Sequence, residues 1–298
     1  MGNTEPGLGN SNNLENNIYM NNEINFNIKV RCPFRNPNLL NIKKIEKNKK
    51  LTFEEEYEKF IKEENIQKSK KMNFENPENT DTSSIDSSLS STEENNLKNT
   101  TITIFDWDDT LFFTNFICPV GLNYREIEKF SEKEKNLIKS IENSVKTIME
   151  KAILKGEVFI ITNSSTGWVE FCSKKFYPEV FPLLKKIKII SARDLYEEQF
   201  PNDQKTWKLL TFVNIKNYFN INKLINIICI GDAIFEIEAS ELLASKFKHY
   251  YLKTIKFREN PGLNELNKQL SLIVREFDRI TSMQKSIKIS VEKVARKS

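Results

Sequence analysis

Apolar positions are spread unevenly along the chain. From residue 101 onward they fall into short, regular patterns. Thr101–Phe105 alternates β-branched and apolar residues, the period of a strand. Ile127, Phe130, Leu137, Ile138, Ile141, Val145 and Ile148 recur at helical spacing and predict a long helix over 126–154. Val158–Ile161 is a continuous apolar run, as in a strand buried on both faces. The pattern continues with a helix near 167–176, a strand at Ile187–Ile190, a helix near 204–217 and a strand at Ile225–Ile230. A helix near 235–245, a strand near Tyr250–Ile255 and a helix from about Leu263 complete it. Strands alternating with helices predict an α/β fold, a parallel sheet wrapped by helices. Such sheets bind ligands at the carboxyl ends of their strands.

The first hundred residues follow no such pattern. They hold 21 Asn, in runs such as Asn12-Asn13 and Asn21-Asn22, with Pro33 and Pro37 between isolated apolar residues. Residues 52–71 are rich in Glu and Lys, and Phe53, Tyr57, Phe60 and Ile61 there predict a short amphipathic helix. Residues 73–100, including TDTSSIDSSLSSTEEN, have almost nothing to bury and are expected to be a disordered linker. The chain therefore divides into an Asn/Ser-rich, largely disordered region (1–100), an α/β domain (101–282) and a basic tail (283–298). The run KSIKISVEKVARK in that tail reads as a solvated helix. This division explains the low averages of the whole chain, 39% hydrophobic residues and a mean hydropathy of −0.51.

Composition then excludes several function classes. No apolar run approaches the ~18 residues that span a bilayer. The polar N-terminus lacks the apolar core of a secretory signal. Gly2 follows Met1, but Pro6 stands where a myristoylation signal has Ser or Thr, so lipidation at Gly2 is a minor reading. Cys32, Cys118, Cys172 and Cys229 show no CxxC spacing, which suits reduced thiols and a cytoplasmic location. His249 is the one histidine, so mechanisms that need two are out. It falls in a predicted strand beside two tyrosines and reads as structural. A net charge of +4 from 45 basic and 41 acidic residues gives no case for nucleic acid.

The strand ends carry the chemistry. TITIFDWDDT delivers Asp106 and Asp108 two residues apart, followed by Thr110. VFIITN ends in Thr162 and Asn163. NIICIGDAIFE places Asp232 after Gly231, with Glu236 four residues on. Carboxylates clustered at one sheet edge repel one another unless a cation sits among them, and oxygen ligands without His or Cys suit Mg²⁺. Magnesium held by a few carboxylates commonly has phosphate as its other partner. The Thr162 hydroxyl, Asn163, nearby backbone N–H groups and a lysine would then hold phosphoryl oxygens.

With these motifs the chain resembles the haloacid dehalogenase (HAD) superfamily of aspartate-nucleophile phosphatases and phosphotransferases. Asp106-Trp107-Asp108-Asp109-Thr110 matches its DxDxT motif, Thr162 its second motif, and Gly231-Asp232 with Glu236 its last. The motif lysine is assigned to Lys208, with Lys205 as the fallback. The wording FDWDDTL, with ITNSSTGW and KIISARDLYE, is most similar to a group of protist HAD-like proteins. The resemblance spans roughly 101–258 and implies a three-layer Rossmann-like core. It implies Asp106 as nucleophile and Asp108 as general acid and base. Mg²⁺ would be held by Asp106, Asp232 and the Asp108 backbone carbonyl, and Lys208 would steady the phosphoryl charge. Glu236 stands where the family often has Asp, and Asp109 is an extra acid with a turn-capping role.

Inserts bear on the substrate. Between Thr110 and Thr162 lie 51 residues, mostly one predicted helix, and between Ile190 and Lys208 lie 17. Neither gap holds a full cap domain, so an open site and a macromolecular substrate such as a phosphoprotein are expected. Phe112–Tyr124 reads as a small flap. Two other readings stay beside this one: a non-catalytic HAD-fold module that binds a partner through the same edge, and a small-metabolite phosphatase with the N-terminal segment as a lid. Trp107 and Trp168 read as packing residues, and Arg193 and Asp194 as substrate contacts or a surface ion pair.

Overall fold

The computed structural model describes residues 18–21, 59, 60, 62, 63, 100–119, 125 and 127–294. Its strands are β1 (Ile18–Asn21), β2 (Thr100–Phe105), β3 (Glu157–Thr162), β4 (Lys188–Ser191), β5 (Leu224–Gly231), β6 (His249–Lys256) and β7 (Ile287–Val294). Its helices are α1 (Thr114–Ile117), α2 (Glu132–Lys155), α3 (Trp168–Phe176), α4 (Ala192–Tyr196), α5 (Gln204–Ile215), α6 (Ile234–Ala244) and α7 (Leu263–Ser282). All paired strands run parallel, in the order β1-β7-β6-β5-β2-β3-β4. Strands β2–β7 are the body of the sheet, and β1 lies along its outer edge.

Strand alternation sorts the side chains into two cores. Ile102, Ile104, Phe159, Ile161, Ile227 and Cys229 face Trp207, Phe212 and Ile215 of α5 and Ala239 and Leu243 of α6. Phe105, Val158, Ile160, Ile228, Ile230 and Ile255 face the layer of α2, α3 and α7. Three layers result, and the sheet is buried on both sides, as parallel sheets require. The N-terminus of α2 is set by a capping box, in which Ser131 Oγ accepts from Glu134 N and Glu134 Oε2 accepts from Ser131 N. At its far end the chain passes Thr101 so closely that a Cβ at Gly156 would lie 2.1 Å from that residue's carbonyl oxygen.

The C-terminal run departs from expectation. Ile287–Val294 is no solvated helical tail but strand β7, paired with β6, with Ile287, Ile289 and Val291 buried. The α/β domain therefore extends past residue 282. The flap reading also changes, because Phe112, Phe113, Ile117 and Cys118 are core residues. Of the expected helix at 52–71, Lys59, Phe60, Lys62 and Glu63 are described and helical. Phe60 is buried, its ring 5.7 Å from that of Phe171 on α3. The rest of that segment lies outside the described residues, as does the linker expected at 73–100 apart from Thr100, which opens β2. Among the described residues, no helix is long and apolar enough to cross a membrane.

Strand order places the site. From β2 the chain moves outward to β3 and β4, then returns to β5 on the other side of β2. The crevice at such a reversal opens at the carboxyl ends of β2 and β5, where Asp106 and Asp232 emerge.

Candidate active site

Asp106 follows β2 directly, its N–H donating to the Ile230 carbonyl of β5. Its carboxylate is almost fully buried and meets Lys208 Nζ at 2.5 Å through Oδ1. Lys208, on the inner face of α5, also donates to the Ile161 carbonyl at 2.5 Å and stands 3.3 Å from Glu236 Oε1. Burial opposes charge on Lys208, but Asp106 and Glu236 overcome it and hold the ammonium above its ordinary value. Lys205 lies outside this cluster, exposed and paired with Glu238 at 2.6 Å.

Glu236 is buried at the start of α6. Oε2 accepts from the Ala233 N–H at the start of α6 (2.8 Å), and Oε1 faces Lys208. This fold-back is the reason for Gly231, since a Cβ there would lie 2.9 Å from the Cβ, Cγ and Oε2 of Glu236. Burial pushes the Glu236 carboxyl up to about 7, against the pull of Lys208. Its carboxylate thus anchors the lysine.

Asp232 keeps partial exposure at the end of β5. Its Oδ1 accepts from Thr110 Oγ1 at 3.2 Å, and its backbone carbonyl accepts from Lys256 Nζ at 2.7 Å. Burial, then the charges of Asp106, Glu236 and Asp109, holds its carboxyl well above the carboxylate range. Asp106 is raised by burial and by Asp108, with Lys208 opposing. Asp109 has a left-handed backbone (φ 57°) and accepts from Asn115 N at 2.9 Å, the capping role expected of it. Burial, reinforced by Asp108 and Asp106, raises it to about 8.

Asp108 is half-buried and surrounded by donors. Oδ1 accepts from Thr114 Oγ1 at 2.6 Å and from Trp168 Nε1 at 2.9 Å. Oδ2 accepts from Thr162 Oγ1 at 2.8 Å and from Ser164 Oγ at 2.7 Å. Thr162 thus serves Asp108, and its hydroxyl also accepts from Ser164 N. Asn163 stands apart, with its amide Nδ2 3.4 Å from the Gln204 carbonyl.

Thr114, Ser164 and Trp168 were not legible as partners of Asp108. Only Ser164 carried a signal, being two residues beyond Thr162 and so on the same side of the chain. Trp107 is core, stacked on Phe112 at 5.7 Å. Arg193 and Asp194 do not pair with each other: Arg193 lies over the Trp207 ring near Glu197, and Asp194 accepts from Thr166 N. His249 opens β6 and is exposed.

Five carboxylates (Asp106, Asp108, Asp109, Asp232 and Glu236) thus share this edge with one buried ammonium. A surplus of anionic oxygen under desolvation fits a divalent cation. Among the described residues, no three His, Cys, Asp or Glu side chains close on one point as a metal cage. A set of two carboxylates and a backbone carbonyl needs no third side chain, and it suits Mg²⁺, which keeps several of its waters. Compared with family models, with curated proteins and with solved structures, the chain finds no match in any of the three.

Proposed function

We propose that this chain is a Mg²⁺-dependent phosphatase of the HAD type, hydrolysing a phosphomonoester through an aspartyl-phosphate on Asp106. The observation that carries the reading is the buried contact between Lys208 Nζ and Asp106 Oδ1 at the carboxyl end of β2. Oδ1 is occupied by that ammonium, so Oδ2 is the attacking atom. It forms a bond to phosphorus as the bond to the leaving oxygen breaks, and Asp108 gives that oxygen its proton. A water then attacks phosphorus and loses a proton to Asp108, and the bond from phosphorus to Asp106 breaks. Mg²⁺, held by Asp106, Asp232 and the Asp108 carbonyl, would neutralise phosphoryl charge. Before the attack, Lys208 opposes protonation of Asp106 and aligns its carboxylate.

A macromolecular substrate fits the surroundings. The described residues between Thr110 and Thr162 lead into α2, which lies against α7, and those between β4 and α5 hold only α4 and a turn. Leu195 and Phe200, which follow β4 in the chain, and Ile234, which follows β5, are exposed, and apolar surface after these strands suits a phosphorylated polypeptide.

Hydrolysis of an aryl phosphate with and without Mg²⁺ tests the reading. Turnover should require the metal and fall at least about 10³-fold in Asp106→Asn, on the scale of other nucleophile knockouts. Metal-independent turnover, or an active Asp106→Asn, would overturn it. A folded but inert wild type would favour a binding module.

A further inference from the structure

Trp168 is the feature that the phosphatase reading leaves unused. Packing accounts for its ring, which lies 6.5 Å from Phe112 and 6.3 Å from Phe171. Packing does not account for its N–H, which donates to Asp108 Oδ1 at 2.9 Å. The other three donors to Asp108 are hydroxyls, from Thr114, Thr162 and Ser164. A hydroxyl rotates and can accept as readily as it donates, whereas an indole N–H can only donate. Of the four partners, Trp168 alone imposes a direction.

We infer that Trp168 is a positioning residue for Asp108: its N–H keeps Oδ1 an acceptor, so that Oδ2 is the oxygen that carries the proton handed to the leaving group. The two oxygens of Asp108 thereby take unequal roles. Oδ1 is anchored by the indole on α3. Oδ2 faces the hydroxyls of Thr162 and Ser164 at the end of β3, which reorient when it changes from acceptor to donor. Replacing the indole by a phenyl ring removes the anchor, and the proton-bearing oxygen is no longer defined. The inference rests on the phosphatase reading and names a residue that reading did not need.

Leaving-group dependence separates this role from a structural one. An alkyl phosphate expels an alcohol that must be protonated, and a dinitrophenyl phosphate expels a stable phenolate that need not be. General acid groups contribute about 10²–10⁴-fold to rates that need them. In Trp168→Phe, kcat/KM, which reports the step that forms the aspartyl-phosphate, should fall about 10- to 100-fold for the alkyl ester, with dinitrophenyl phosphate changing less than about threefold. Trp168→His, which restores an N–H, should recover part of the alkyl activity. Equal losses on both esters, or none on either, overturn the inference and leave the phosphatase reading standing. A wild type inactive on both overturns the two together. Should Trp168→Phe fail to fold, the three indole N–H resonances of the wild type decide. One of them should move strongly in Asp108→Asn, and if none does the contact is absent and the inference falls.

Discussion

Lys208 answers two buried carboxylates at once, so its removal should cost more than a surface ion pair would. Lys208→Met leaves Asp106 and Glu236 buried without their counter-charge, and breaking a buried pair in this way costs about 3–5 kcal/mol. Glu236, already raised to about 7, can escape by taking a proton. Chemical denaturation should therefore show a larger loss at pH 8 than at pH 5.5, and an equal loss at both would remove Glu236 from the account. Lys253 presents the opposite case. It is fully buried on β6, its Nζ donates to Asn226 Oδ1, and burial pushes its ammonium down to about 8. Below pH 8 the folded state holds a charge it disfavours, and relief comes as pH rises from about 8 toward 10.5. The stability of the wild type relative to Lys253→Met should rise over that window, and a flat difference would contradict the assignment. Sequence spacing reached Lys208 but not Lys253, because a lysine's burial depends on the helices laid over its strand.

Helix α2 owes its start to a two-way exchange between Ser131 and Glu134. Ser131→Ala removes one half of it and should lower stability by about 1 kcal/mol in thermal melts, while Ser131→Asp, still able to cap, should lose little. That exchange was not read in the sequence, whereas all strands from β2 to β6 were legible, because their runs are continuous or alternate. Strand β7 was missed because Lys288, Ser290 and Glu292 interleave Ile287, Ile289 and Val291. Read for helical period, that run looks like a solvated charged tail; read with a period of two, it is an edge-proximal strand. Asp106, Asp232 and Lys208 could be placed together because each sits at a strand end or one turn into a helix. The partners of Asp108 could not. Trp168 reaches it from α3, and nothing in the sequence says which way an indole on that helix will turn. The fold-back of Glu236 was equally hidden, since it depends on the space left by Gly231.

Across the molecule, the α/β frame concentrates acid at one edge. Asp106, Asp109, Asp232 and Glu236 are all raised above their ordinary values, Asp109 to about 8 and Glu236 to about 7. Between about pH 4 and pH 8 the folded protein therefore binds more protons than the unfolded chain. The sign follows: stability falls as pH rises through that window. A cation that enters the cluster must displace those protons, so metal affinity should rise as they leave. At a hundredfold excess over Kd a ligand adds about 2.7 kcal/mol, which for a domain of this size is about 5–10 °C in Tm. Millimolar Mg²⁺ should accordingly raise Tm clearly at pH 8 and little at pH 5.5. Asp232→Asn, which removes one carboxylate from the cluster, should lose the metal shift. It should also melt higher than the metal-free wild type at pH 8, because one repulsion is gone. A metal shift of equal size at both pH values, or one that survives in Asp232→Asn, would place the cation elsewhere.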